Sequence, residues 1–313
     1  KSPLKETRLG PLQPEHCHEM VSYILDSPLS QTGELSVFIA NLSEGNPLFV
    51  SEILSYLNNE NLMYPDENRH WQWDINKIRQ SNMPPTVVAL FSSKIKKLPA
   101  AAIELLEYCA CMGNRFSPTE ISMVKEISLL NVFETLKPAL AQGLLMESKD
   151  DLQFVHDRVQ EAVLSAIDTQ RRRRIHWTIG THLLSGMPEG ADPERVDSMF
   201  NIFSMTAHLN LGKPAALELK MAYRLSDINY HAGNKALDAL ATEAANEYFR
   251  LARELLPPDC WEAQYEKTFK IYQKSAKTEL MCGRYNNSEQ LLDCLLGNAK
   301  TDLDKAECLA EQT

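Results

Sequence analysis

Glycine is scarce in this chain, 12 in 313 residues, and none of it forms a phosphate cradle. A triphosphate-binding loop needs Gly-x-x-x-x-Gly-Lys-Ser/Thr, whose backbone N–H groups and lysine surround the phosphates. No such run occurs, and no apolar strand ends in the Asp-Glu or Asp-Asp that would hold magnesium. No catalytic residue is therefore expected in this chain alone. A partnered serine or cysteine nucleophile is also missing, because no elbow or nucleophile signature appears. Long apolar runs are absent: none approaches the roughly 18 residues of a membrane-spanning helix. Without such a run or a signal peptide the expected location is the cytoplasm, with no membrane insertion. Positive charge is in deficit, with a net charge of −10, which argues against a nucleic-acid surface. The seven cysteines are an odd number and too irregularly spaced for a disulfide framework or a zinc site. Cys109 and Cys111 lack a second ligand pair, so reduced thiols and no metal are expected.

What the chain does contain is helix-forming sequence, rich in Ala, Leu, Glu and Lys. Cys17, Met20, Val21, Ile24 and Leu25 make one apolar stripe over Gln13–Asp26, and Leu35–Leu42 repeats the pattern. Gly45-Asn46 stops that helix, and Pro47 starts another through Leu57. A polar insert with Trp71-Gln72-Trp73 comes next, alternating like a short strand or hook, and Pro84-Pro85 closes it. Helices from Thr86 to Gln142 then lead into Leu144–Val155, which reads as a β-hairpin with a charged turn. Helices followed by one such wing are the winged-helix plan. Its groove-reading helix, Ser128–Gln142, offers only Lys137 against Glu134, which does not suit DNA.

Beyond Asp157 the pattern is helical to the end, with breaks expected at Gly186–Pro193, Leu211–Pro214, Gly233, Pro257-Pro258, Gly283 and Gly297. Helix pairs of this length suggest an α-solenoid, and Ala244-x-x-x-Tyr248-x-x-x-Ala252 has the spacing of a tetratricopeptide unit. The fold class expected is thus mainly α: a small helical subdomain, a winged helix with one β-hairpin, and a TPR-like solenoid. His176 and His182 are six apart, unlike a helical metal pair, so structural roles are expected for both and for His208. Arg171–Arg174 spread around a helix and read as a solvated helix start.

Two segments carry residues that packing alone would not select: Gly45-Asn46-Pro47-Leu48-Phe49-Val50 and Phe154-Val155-His156-Asp157-Arg158-Val159-Gln160. With the Trp71-Gln72-Trp73-Asp74 insert, His176-x-x-Ile179-Gly180, His208-Leu209-Asn210 and Ala232-Gly233-x-Lys235-Ala236, they resemble the ATPase portion of large bacterial signalling proteins. In those relatives a STAND-type ATPase, related to the AAA+ ATPases, lies between a Ser/Thr-kinase-like domain and GAF and sensor histidine kinase modules. Fungal hybrid kinases are similar. The resemblance implies that residues 1–13, including Leu9-Gly10-Pro11-Leu12, end the P-loop core. After it would come a lid over 14–63, a Trp-containing connector over 64–85, a winged helix over 86–168 and a repeat region over 169–313. ATP or ADP with Mg is then expected only together with a P-loop core. The implied partners are that core, the flanking kinase and GAF domains, and proteins on the repeat surface.

The same resemblance assigns nucleotide proximity to Gly45, Asn46 and Pro47, the "GxP" element of the lid. The bare residues equally describe a helix C-cap followed by an N1 proline. Val155-His156-Asp157 is similar to the Met-His-Asp motif of switch ATPases in immunity and cell death, whose histidine reads the β-phosphate of ADP. Asp157 is expected to cap the next helix, with Gln160 at capping-box spacing, and a helix N-terminus favours phosphate. The alternative makes Asp157 a cap and His156 a strand-end residue only. Function divides accordingly. One reading is a nucleotide-state-sensing portion of a signalling ATPase, inactive alone, within a parent kinase. The others are a passive helical-repeat scaffold and the ATPase part of a MalT-like transcription regulator.

Overall fold

The computed structural model describes residues 10–81, 83–186 and 202–310. Leu9 of the Leu9–Leu12 segment and residues 187–193 of the expected break lie outside them. The chain divides into two compact units, the first ending at Asp168 and the second beginning at Thr169.

Unit 1 opens with α1 (Pro14–Ile24), α2 (Leu29–Ser43) and α3 (Pro47–Asn59). Proline occupies the first turn of α1 and α3, where its missing N–H is no loss. Cys17, Val21, Leu35, Ile39, Val50, Ile53 and Leu57 are all fully buried, so the three stripes face one core. Helix α2 begins six residues earlier than its apolar pattern suggests, because Pro28 fixes an extended N-cap.

The tryptophan insert forms the short strand, of the two alternatives, and pairs it in a hairpin. β1 (Met63–Pro65) and β2 (Trp71–Trp73) pair antiparallel, with Met63 opposite Trp73. Asp66 holds the turn by accepting from Asn68 N, His70 N and Gln72 Nε2. Trp71 and Trp73 are half-buried and Gln72 is exposed. A short α4 (Ile75–Gln80) comes after it, capped by Asp74.

The winged helix comprises α5 (Val87–Lys96), α6 (Ala100–Met112), β3 (Arg115–Phe116), α7 (Pro118–Lys125), α8 (Leu129–Ala141), β4 (Leu145–Ser148), β5 (Asp151–Phe154) and α9 (Asp157–Ala166). The expected wing hairpin is β4–β5, and β3 adds a third strand in the order β3-β5-β4. That strand is only two residues long, too short to show alternation in the sequence. Phe116 and Phe154 bring it into the core, with ring centroids 5.7 Å apart.

Unit 2 is helical throughout its described residues: α10 (Thr169–Ser185), α11 (Ile202–Gly212), α12 (Leu219–Asp238), α13 (Thr242–Glu254), α14 (Cys260–Ala263), α15 (Tyr265–Met281), α16 (Tyr285–Asn298) and α17 (Asp302–Ala310). Neighbours run antiparallel. Ser226 of α12 donates to Ala252 O at the far end of α13, and Thr278 of α15 donates to Asn246 near the start of α13. Two expected breaks are corrected. Helix α12 passes through Gly233 without interruption, and Gly297 lies in the last turn of α16. Gly233 serves a close approach instead: a Cβ there would lie 2.6 Å from the Phe249 ring. Gly283 does break the chain, at φ +75.

Candidate functional site

The Gly-Asn-Pro segment is a rigid corner between α2 and α3. Glu44 caps α2 in the left-handed region and Gly45 continues at φ +75. The Asn46 side chain accepts from Phe49 N at 3.2 Å, and Pro47 opens α3. A second strand of chain is clipped to this corner, since Leu12 N donates to Gly45 O at 2.8 Å. A Cβ on Gly45 would lie 2.3 Å from Leu12 O, so only glycine permits this approach.

The corner forms one wall of an open cleft of about 640 Å3. Gly10 and Pro11 stand on a second side, and Pro85, Thr86 and Val87, where α5 begins, on a third. Gly45, Asn46 and Pro47 therefore meet in one place. His156 is not among the lining residues. It begins α9, which packs against α5, and α5 starts at the cleft.

The start of α9 corrects the expected capping box. His156 is the N-cap: its backbone is extended and Nδ1 accepts from Arg158 N at 3.1 Å. Asp157 is the first helical residue, 75% exposed, with Oδ1 against His156 Nδ1. Gln160 does not reach back to its own helix start. Its Nε2 donates to Ala110 O at 2.8 Å and so satisfies a carbonyl in the last turn of α6. The physical reason is reach. An imidazole on an extended residue already meets the N–H two positions on, which leaves the Gln160 amide free to join two helices.

This geometry sets the histidine's chemistry. While Nδ1 accepts from the Arg158 N–H it carries no proton, so in the neutral ring the proton sits on Nε2. Pairing with Asp157 instead requires a proton on Nδ1, and the two contacts exclude one another. The first state presents Nε2–H as a donor from a side chain that is 42% exposed.

Two of the four histidines of unit 2 form a pair that sequence reading missed. His176 Nδ1 and His208 Nδ1 lie 2.9 Å apart, both buried. One must donate and the other accept. Burial, and secondarily Arg172, lowers the His176 pKa; burial, then His176, takes His208 down to about 4. Both rings lie on the apolar faces of their helices, and that was the available signal. No cluster of three or more His, Cys, Asp or Glu side chains among the described residues could hold a metal ion. None of the described helices is long and apolar enough to cross a membrane. None of the seven cysteines is in a disulfide.

No protein-family model matches the chain. It is similar to hybrid signal transduction histidine kinase G of Dictyostelium discoideum, 24% identical over 94% of this chain and 10% of that protein. It is also similar to the peroxide stress-activated histidine kinase mak2 of Schizosaccharomyces pombe, 24% identical over 83% of this chain and 11% of that one. The chain thus spans about a tenth of the length of the curated relatives it matches. Among solved structures, a STAND protein with a tetratricopeptide repeat sensor from Pyrococcus horikoshii aligns over 96% of this chain and 44% of its own. The TM-score is 0.42 and the identity 15%.

Proposed function

We propose that this chain is the nucleotide-responsive, non-hydrolysing portion of a signalling protein of the histidine kinase kind. In this reading unit 1 supplies the lid and winged helix of an ATPase whose P-loop core is a separate segment. Unit 2 supplies a helical surface for protein partners. The observation that carries the reading is the cleft at Gly45-Asn46-Pro47. A glycine-dependent corner with a capped, proline-started helix stands open to solvent beside the Gly10–Leu12 segment, where the core would connect. Kinase relatives that align along almost the whole chain support the signalling half of the proposal.

ATP or ADP, with Mg held by the core, would lie against the Gly-Asn-Pro corner. His156 would donate from Nε2 to a phosphate oxygen when winged helix and core close together. Because α5 begins at the cleft and packs on α9, movement at one is transmitted to the other through a single helix. Hydrolysis is assigned to the core, the flanking kinase and GAF modules act as partners, and the location is cytoplasmic.

The test is ADP release from the full-length protein carrying His156→Asn. Asparagine is a good N-cap, so α9 keeps its start while the imidazole donor is lost. A hydrogen bond to a charged group is worth roughly 1.5–3 kcal/mol, so ADP should leave about ten- to hundred-fold faster with the melting temperature unchanged. Unchanged release would reduce His156 to a cap and remove this half of the reading.

A further inference from the structure

A second concavity shares no lining residue with the cleft, so its role is independent of the nucleotide reading. It is a pocket of about 440 Å3 between α3 and α5, closed by the end of α8. Tyr56 and Glu60 line it from α3 and its C-cap, Ser93, Lys94 and Lys97 from α5 and its C-cap, and Gln142 from the end of α8. Its volume is within the range of small-molecule sites.

The lining is unusually rich in hydrogen-bond donors. Lys94 Nζ donates to Glu52 Oε2 at 2.5 Å, and both side chains are largely buried, 16% and 17% exposed. Glu52 is not part of the lining, so it holds the ammonium from behind. Lys97 pairs with Glu60, which is itself part of the lining. An ammonium has three N–H donors, and one carboxylate contact leaves each lysine with two to offer. Burial, then the Glu60 carboxylate, raises the Tyr56 pKa against an opposing pull from Lys97, so the phenol stays a donor. The Ser93 hydroxyl and Gln142 amide add more. With Glu52 counted behind Lys94, two lysines face two glutamates, so the pocket is locally neutral in a chain whose net charge is −10. Such a donor-rich, charge-balanced wall complements a ligand with many acceptor oxygens. Because the buried pair with Glu52 already fixes Lys94, little of that side chain's freedom remains to be lost on binding.

We propose that this pocket binds a small oxyanion, phosphate- or carboxylate-bearing, which bridges α3 to α5. An occupant would tie the first three helices to the winged helix and so set how stiffly the two move together. Lys94 anchors the ligand from a fixed position. Lys97, 57% exposed, and Tyr56 close over it.

Calorimetric titration of this chain with inorganic phosphate and, separately, citrate tests the idea, each at ionic strength held constant with sodium chloride. One saturable site of millimolar or better affinity is expected, and whichever anion binds more tightly identifies the ligand class. Lys97→Gln should weaken binding about tenfold or more, since a charged donor is lost. Tyr56→Phe should weaken it several-fold while circular dichroism stays unchanged. Lys94→Met leaves Glu52 buried without a partner and threatens the fold, so the first two variants decide. Absence of saturable binding by both anions would overturn the proposal. Binding that is equally tight in Lys97→Gln and Tyr56→Phe would overturn it as well.

Discussion

In unit 2 the residues that stand out in the sequence are consumed by their neighbours, whereas in unit 1 they start helices and leave a surface open. His176 meets His208, and Asn210 and Asn229 exchange two hydrogen bonds. Gly180, Gly212 and Gly233 let Leu209, Trp177 and Phe249 approach to distances a side chain would forbid. In unit 1, Asn46, Asp74, Thr86, Ser128 and His156 each accept a backbone N–H at a helix start. Residue types are similar in the two units, but the partners differ. A conspicuous histidine or glycine points outward only where no adjacent helix claims it.

The strongest blow to this contrast is Gly212→Ala. A Cβ there would lie 2.2 Å from Trp177 N and 2.6 Å from Trp177 Cα, and backbone cannot rotate away. Overpacking of this kind costs on the order of 3 kcal/mol or more. Amide exchange should show lost protection in α10 and α11. If only the end of α11 frays, the two helices are not locked as described.

Next in size is acid. Burial holds His208 neutral, with a pKa near 4 against an ordinary 6.5. As pH falls below 6.5 the unfolded chain takes up a proton that the folded one refuses, so stability is complete above 6.5 and declines towards pH 4. The loss is on the order of 3 kcal/mol at the lower end. Denaturant melts between pH 7 and 4 should show it, and His208→Leu should flatten the curve. A pH-independent midpoint in the native chain would mean that the pair is not buried neutral.

These effects show which parts of the structure the sequence could convey. The start of helix α3 was legible in Pro47 and its buried face in the stripe through Leu57, whereas Asn46, read as the stop of the helix before, is the N-cap of α3. The wing hairpin was legible through the two apolar-containing runs around a charged turn in Leu144–Val155. Strand β3 was not, since two residues cannot display a period, and Gly233 was misread as a break because its reason lies on another helix. The His176–His208 pair was hidden for the same cause: 32 residues separate the rings, and only packing of α10 on α11 joins them. At the candidate site the Gly-Asn-Pro corner could be read locally. Its clip to Leu12 and the reach of Gln160 to Ala110 are tertiary facts.

Smaller effects belong to unit 1. Gly45→Ala sets a methyl against Leu12 O, but the Gly10–Leu12 segment, exposed at Gly10 and Pro11 and half-buried at Leu12, can detach. The cost should be limited to about 1–2 kcal/mol, the strain of a left-handed alanine plus one hydrogen bond. Faster proteolysis near residue 12 at nearly constant melting temperature would be the signature. A large fall in melting temperature would mean the segment is integral to the core.

The smallest effect separates the two residues at the start of α9. Because His156 rather than Asp157 caps the helix, His156→Ala should cost about 1 kcal/mol, in the usual range for a lost N-cap. His156→Asn should restore nearly all of it. Asp157 keeps only a favourable charge in the first turn, worth a few tenths of a kcal/mol at an exposed site and screened by salt. Asp157→Ala should therefore be almost silent in a denaturant melt, and fully so at high ionic strength. An N-terminal box closed by Asp157 and Gln160 would give the opposite order, with Asp157→Ala the costly change and His156→Ala the mild one. Three urea melts on this chain decide between the two. The order of cost also fixes what an ADP-release measurement means, since a residue that is both cap and donor must be tested with the cap preserved.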